Sequence, residues 1–167
     1  STVLEGFDAS GPATLLMATG ITNVDNMGSL FRNAAAFGVE AVILDANCCD
    51  PLYRKAIRVS MGHALSIPWA VVDDWNAGLT TLKEQLGVKL IGCETCEGSS
   101  PMWEINPTNK FALIMGEEKK GLSASTITSC DYIAEIPMSN TVPSVNVAVA
   151  SAVGLYEFLC RRSFNNR

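Results

Sequence analysis

The chain has one histidine, His63, and with a single imidazole it supports neither a histidine-based metal site nor a Ser-His-Asp triad. It has no apolar run near the roughly eighteen residues that cross a bilayer. The opening STVLEGFDAS lacks the basic segment and apolar stretch of a secretory signal, so a cytoplasmic setting is expected. No G-x-G-x-x-G is present, which removes the usual dinucleotide fingerprint. Charge is sparse, 17% of residues with a net −5, whereas a nucleic-acid binder is ordinarily basic. Two local clusters run against that balance: Arg54, Lys55 and Arg58, and the closing Arg161, Arg162 and Arg167. Each also reads as a solvated face.

What is present is a globular composition, 48% apolar over 167 residues, enough for one domain with a sizeable core. Six cysteines are scattered along it, and without an export signal they read as reduced thiols. Cys93 and Cys96 form a lone C-x-x-C. A zinc ribbon needs a second such pair, which the adjacent Cys48 and Cys49 do not supply, so no metal is expected.

Short apolar runs alternate with amphipathic ones. TLLMATGI (14–21) reads as a buried strand, followed by a polar loop and a helix over Ser29–Phe37 closed by Gly38. VEAVILD (39–45) is a β-branched strand, PLYRKAIRVSMGHA a helix, and SIPWAVVD a loop entering a strand. WNAGLTTLKEQLG (75–87) sets Leu79, Leu82 and Leu86 on one helical face. VKLIGCET, FALIMG (111–116) and DYIAEIPM supply further strands. The segment 145–162 places Val145, Val149, Ala152, Val153, Tyr156 and Leu159 along one stripe of a long final helix. This order predicts an α/β domain with a largely parallel sheet flanked by helices, its ligands bound beyond the carboxyl ends of the strands.

Three loops at that edge carry unusual residues. Gly116 to Ser123, GEEKKGLS, nearly spells a P-loop, but Leu122 stands where the phosphate-binding lysine belongs. The loop also reads as a plain strand-to-helix turn with glycines at positive φ. In IPMSNTVPSVNVAVA (136–150), Ser144 is placed to cap the last helix, and Asn146 either binds a polar ligand or ties down the loop. In NMGSLFRNAAAFG (26–38), Asn26 is the expected helix cap. Gly28 and Arg32 lie one turn apart on one face, so a ligand can approach the Gly28 backbone with the Arg32 guanidinium beyond it. The competing reading is a salt bridge from Arg32 to a carboxylate.

Taken in order, N-x-G-x-x-x-R-x-A-A-x-F-G, G-x-E-x-x-G-L and I-P-M…S-x-N-V-x-V-A resemble the three motifs of the SpoU (TrmH-type) family of RNA ribose methyltransferases, within the SPOUT superfamily. CDPLYRKAIRVSMG resembles the same family's second helical region, and the likeness runs from about Thr14 to Arg162. The resemblance implies a C-terminal trefoil knot, S-adenosylmethionine as methyl donor, a ribose 2′-hydroxyl of ribosomal or transfer RNA as acceptor, and a homodimer with the final helix near its interface. By position it implies cofactor contacts at Gly116, Ile136 and Val145, with Thr95, Pro137, Met138 and Asn146 nearby. It places Asn26, Arg32, Glu118, Ser144 and Asn146 at the functional polar positions. Asn23-Val24 stand where the family often has Asp-Pro, and Val145 replaces its usual Leu. The family often adds an N-terminal RNA-binding domain, expected to be absent from 1–167, which is read as a single catalytic domain.

A guanidinium stays protonated at any working pH. Arg32 is therefore expected to stabilise a developing alkoxide or grip a phosphate, with Glu118 orienting Arg32 or Asn26 and Ser144 helping to position the nucleophile. Two other readings stay open: a knotted methyltransferase acting on a base nitrogen, and a non-catalytic RNA-binding or assembly module with the same fold.

Overall fold

The computed structural model describes residues 11–139 and 141–161; the first ten residues, Arg162 and Arg167 lie outside the described residues. Among the described residues, seven parallel strands form one sheet in the order β3-β2-β1-β6-β4-β7-β5. They are β1 (Ala13–Ala18), β2 (Ala41–Asp45), β3 (Trp69–Val72), β4 (Lys89–Cys93), β5 (Ser100–Pro101), β6 (Lys110–Met115) and β7 (Tyr132–Glu135). The helices are α1 (Val24–Phe37), α2 (Arg54–Val59), α3 (Trp75–Thr80), α4 (Ala124–Ser129) and α5 (Val147–Leu155). No helix among the described residues is long and apolar enough to cross a membrane.

The central strands β1 and β2 are buried at every position, as expected of a sheet covered on both faces. Alternation divides them between two cores: Leu16 and Ala18 pack with Leu30, Phe31 and Leu155, while Leu15 and Met17 pack with Leu79, Leu82 and Leu122. Each fully buried Leu or Phe contributes roughly 1.5–3 kcal/mol over exposure.

Several expected boundaries move, each for a local reason. The first strand ends at Ala18 because Thr19 and Gly20 turn to Asp45. Helix α1 begins at Val24, five residues before the expected start. Its cap is Asn23, whose Oδ1 accepts from the N–H groups of Asp25 (2.8 Å) and Asn26 (3.1 Å). Gly38 ends α1 as expected, at φ 71°. The second helix is cut to Arg54–Val59, because the buried Ser60 hydroxyl donates to the Ile57 carbonyl and accepts from Ala64 N–H. Chain reversal at Met61 and Gly62 leads into a 3₁₀ turn, His63–Leu65. Helix α3 widens into a π turn over Thr81–Gln85, and α5 does so over Tyr156–Arg161. The short β5 leaves no trace in the sequence, since two residues carry no alternation, and α4 follows Ser123 as a strand-to-helix turn requires, although ASTITS has little apolar period.

The buried side of the final helix is Val147, Ala150, Ser151, Gly154 and Leu155. Of the apolar stripe, Val149, Val153 and Tyr156 face outward, while Leu159 packs against the core. Val149 is 52% exposed and Tyr156 50%. The small residues let α5 press on the sheet and on α1. A Cβ on Gly154 would lie 2.8 Å from Leu113 Cδ2, and Asn33 donates to Ala148 O (2.7 Å) and Ser151 Oγ (2.9 Å).

Candidate active site

A cavity of about 330 Å³ opens at the carboxyl ends of β4, β6 and β7, where ligands bind in open parallel sheets. Cys93, Met115, Ala134, Val147 and Ala150 give it an apolar floor. Its walls are three loops: Glu94 and Thr95 after β4, Gly116–Gly121 after β6, and a stretch after β7 that includes Ile136, Met138 and Pro143–Val145. The size falls within the range of about 300–1,000 Å³ usual for small-molecule sites.

Loop 116–122 is folded tightly onto itself. A Cβ on Gly116 would lie 2.5 Å from Gly121 C and 2.7 Å from Leu122 N, all backbone atoms. Gly121 adopts φ 65° and donates to the Glu117 carbonyl (2.9 Å). Beneath it Glu94 accepts from Leu122 N–H at 2.8 Å and fills the space a Gly121 side chain would take. Glu94 was missed in the sequence, where it is one acid after a strand and its partner lies 28 residues away.

A relay joins the three motif segments. The Asn26 amide donates to Glu118 Oε1, and the Asn146 amide donates to Asn26 Oδ1 at 2.9 Å. Asn146 Oδ1 also accepts from Ala148 and Val149 N–H, so Asn146, not Ser144, caps α5. Asn26 does not cap α1; Asn23 does, which leaves the Asn26 side chain free for Glu118 and Asn146. Of the two roles expected for Glu118, it takes the one toward Asn26.

The expected residues thus fall into groups. Thr95, Gly116, Glu118, Ile136, Met138, Ser144 and Val145 line the cavity, and Asn26 and Asn146 reach it through Glu118. Pro137 is exposed and does not line it. Arg32 is exposed, outside the walls, and makes no hydrogen bond or ion pair to any described residue, so the competing reading, a salt bridge to a carboxylate, is not met among the described residues. Ligand approach over Gly28 is overturned. Gly28 is buried, and its missing Cβ makes room for Ala56 O and Val59 Cβ, each 2.7 Å from where that atom would be. The glycine lets α1 and α2 pack closely.

Behind the site, Asp45 ties the β1 and β2 loops together. It accepts from Thr19 Oγ1 (2.7 Å), Gly20 N–H (3.0 Å) and Asn47. Burial pushes its carboxyl up, but these donors outweigh it and hold it below the ordinary value. A depressed folded-state value means the contribution is present above the unfolded carboxylate range, about 3.9, and is lost as pH falls through the folded value. Asp45→Asn is therefore expected to lower unfolding free energy by about 1.5–3 kcal/mol at pH 7. The gap should shrink below about pH 4, as read by denaturant melts at pH 7 and pH 3. Burial likewise pushes the Cys93 thiol up to about 12, and among the described residues no three His, Cys, Asp or Glu side chains gather as a metal site needs.

Residues 13–156 match the sequence profile described as the SpoU rRNA Methylase family. An uncharacterized tRNA/rRNA methyltransferase of Mycobacterium tuberculosis is 40% identical over 152 residues, 89% of this chain and 52% of that protein. The 23S rRNA (guanosine-2′-O-)-methyltransferase RlmB of Bordetella pertussis is 38% identical over 152 residues, 91% of this chain and 61% of its own length. The chain therefore spans 52% to 61% of these curated relatives. Among solved structures, the SpoU methyltransferase AviRb from Streptomyces viridochromogenes in complex with AdoMet has a TM-score of 0.87 at 26% identity. That match covers 96% of this chain and 65% of the other.

Proposed function

The chain belongs to the SpoU rRNA methylase family, and on that premise we propose that it transfers a methyl group from S-adenosylmethionine to a ribose 2′-hydroxyl of ribosomal or transfer RNA. One observation carries the reading: three segments far apart in sequence, around Asn26, Gly116 and Asn146, are joined through Glu118 at one cavity. The cavity suits the cofactor, with a sulfur- and methyl-lined floor for its apolar parts and a wall of close-packed backbone at the Gly116–Gly121 turn.

Gly116, Ile136 and Val145 would hold the cofactor largely through backbone atoms, with Thr95 and Met138 beside them. When bound, it supplies a methyl group on a sulfonium whose leaving group is already activated. The chain's task is then to orient the acceptor and stabilise charge on it. Ser144, exposed at the rim, is placed to position the nucleophile. Glu118 holds Asn26, and Asn26 holds the cap of α5. Arg32, with no competing carboxylate partner among the described residues, stabilises the forming alkoxide or grips the adjacent phosphate.

The outward stripe of α5 supports a homodimer, because an exposed apolar face of this kind ordinarily meets a partner. Asn33, next to Arg32 on α1, bonds α5 directly, so α1 and α5 are held together on this side of the sheet. The trefoil knot, residues 1–167 as one catalytic domain and a cytoplasmic setting belong to the same proposal.

A labelled-methyl assay on ribosomal and transfer RNA transcripts tests it. Transfer of label is expected; cofactor and RNA binding with no transfer would favour the non-catalytic module. Asn146→Ala removes both the α5 cap and the link to Asn26. It should cost about 1 kcal/mol of stability and weaken S-adenosylmethionine binding in calorimetry. Unchanged affinity would confine Asn146 to capping.

A further inference from the structure

The segment from Leu52 to Leu65 carries features that packing does not explain. Arg54 and Arg58 stand four apart on one face of α2, both exposed, and neither makes a hydrogen bond or ion pair to any described residue. Of the cluster only Lys55 is paired, to Asp25 at 2.7 Å. In the same segment of the chain, apolar side chains are left in water: Tyr53 is 58% exposed, Met61 67% and Leu65 68%. Met61 is turned outward by the reversal that closes α2, at φ 54° with Gly62 N–H donating to the Ile57 carbonyl at 2.8 Å.

The occupant of this face must be anionic and must offer flat apolar surface. An apolar protein segment would leave the guanidiniums unmatched, and an acidic one would leave the ring and the thioether uncovered. Single-stranded RNA meets both demands, since its phosphates accept the forked N–H donors of arginine and its unstacked bases lie on aromatic rings. In a chain of net charge −5, two guanidiniums on one face, unpaired among the described residues, offer a polyanion complementary charge.

We infer that the α2 face docks a single-stranded stretch of the substrate RNA, with Arg54 and Arg58 on backbone phosphates and Tyr53 stacked on a base. This rests on the proposal that RNA is the substrate. The placement leads toward the cavity. Lys55 fastens α2 to Asp25 in the first turn of α1, and the next residue, Asn26, begins the relay to Glu118 at the cavity wall.

Fluorescence anisotropy with a labelled, unstructured RNA, titrated across a salt series, tests the inference on the full chain. Arg54→Ala with Arg58→Ala should weaken binding at least about tenfold and flatten the log K against log salt slope by about 1.4, near 0.7 for each phosphate contact. Tyr53→Ala should lose at least about fivefold while Tyr53→Phe retains the affinity. Calorimetry with S-adenosylmethionine should read the same in every variant, which keeps misfolding apart from lost docking. An unchanged affinity and slope in the double variant would overturn the inference, as would a wild-type chain that captures no RNA. Undiminished binding alongside ribose methylation would remove this surface and leave the enzyme. Weakened binding alongside methylation of a base would remove the ribose reading and leave the surface.

Discussion

Replacing Arg32 by alanine is expected to lower methyl-transfer turnover at least about a hundredfold, the loss typical of one removed donor to a developing oxyanion, while S-adenosylmethionine affinity stays unchanged. The split follows from where Arg32 sits. It is outside the cavity wall that would hold the cofactor, and it carries no ion pair to a described residue whose loss would disturb the fold. A charge left exposed on a helix otherwise filled with Leu30, Phe31, Ala34 and Ala35 contributes little to stability, so its effect belongs to the acceptor. Single-turnover rates with saturating cofactor and RNA, together with calorimetry, separate the two quantities. Arg32→Lys should recover only part of the rate, since an ammonium lacks the paired donors. Near-normal turnover in Arg32→Ala would dismiss the residue from the chemistry.

Gly116→Ala should have the opposite signature, a loss of cofactor binding accompanied by a loss of stability. The added methyl meets Gly121 C, Gly121 O and Leu122 N at 2.5–2.7 Å, and backbone atoms cannot swing aside as a side chain would. The loop must open, which breaks the 2.9 Å bond from Gly121 to Glu117 and the 2.8 Å bond from Leu122 to Glu94. Overpacking of this kind costs roughly 1–3 kcal/mol, and each kcal/mol lowers Tm by about 2–4 °C in a domain this size. Cofactor affinity should fall more than about tenfold, because the displaced backbone is the wall itself. Gly11→Ala, with nothing within 4 Å, is the control and should leave both unchanged. Normal affinity in Gly116→Ala would mean the 116–122 loop does not bound the cofactor.

Strand order along the chain was legible because runs such as LLMA and AVIL are too apolar for anything but a sheet covered on both faces. The last helix was legible as a helix but not in its orientation. Two apolar faces compete there, and the one built of small residues, Ala150, Ser151 and Gly154, won the core because only it allows α5 to approach Leu113. A count of large apolar residues favours Val149, Val153 and Tyr156, which face outward. Gly28 misled for a related reason. A helical glycine leaves room for something, and sequence does not say whether that is a ligand or the neighbouring α2. Asn23 and Asn26 are equally good caps by residue type, and the choice is made by Glu118, 92 residues from Asn26. Glu94 and Asp45 were invisible for the same cause, since each is defined by partners brought in from other loops.

The central claim is that the cavity serves chemistry on a sugar oxygen, and alkaline hydrolysis of RNA labelled by this chain from methyl-labelled S-adenosylmethionine tests it most directly. Methylation of a 2′-oxygen removes the nucleophile that cleaves the adjacent phosphodiester, so the label should appear in alkali-stable dinucleotides. Label recovered in ordinary mononucleotides, with the methyl group on a base nitrogen, would contradict it.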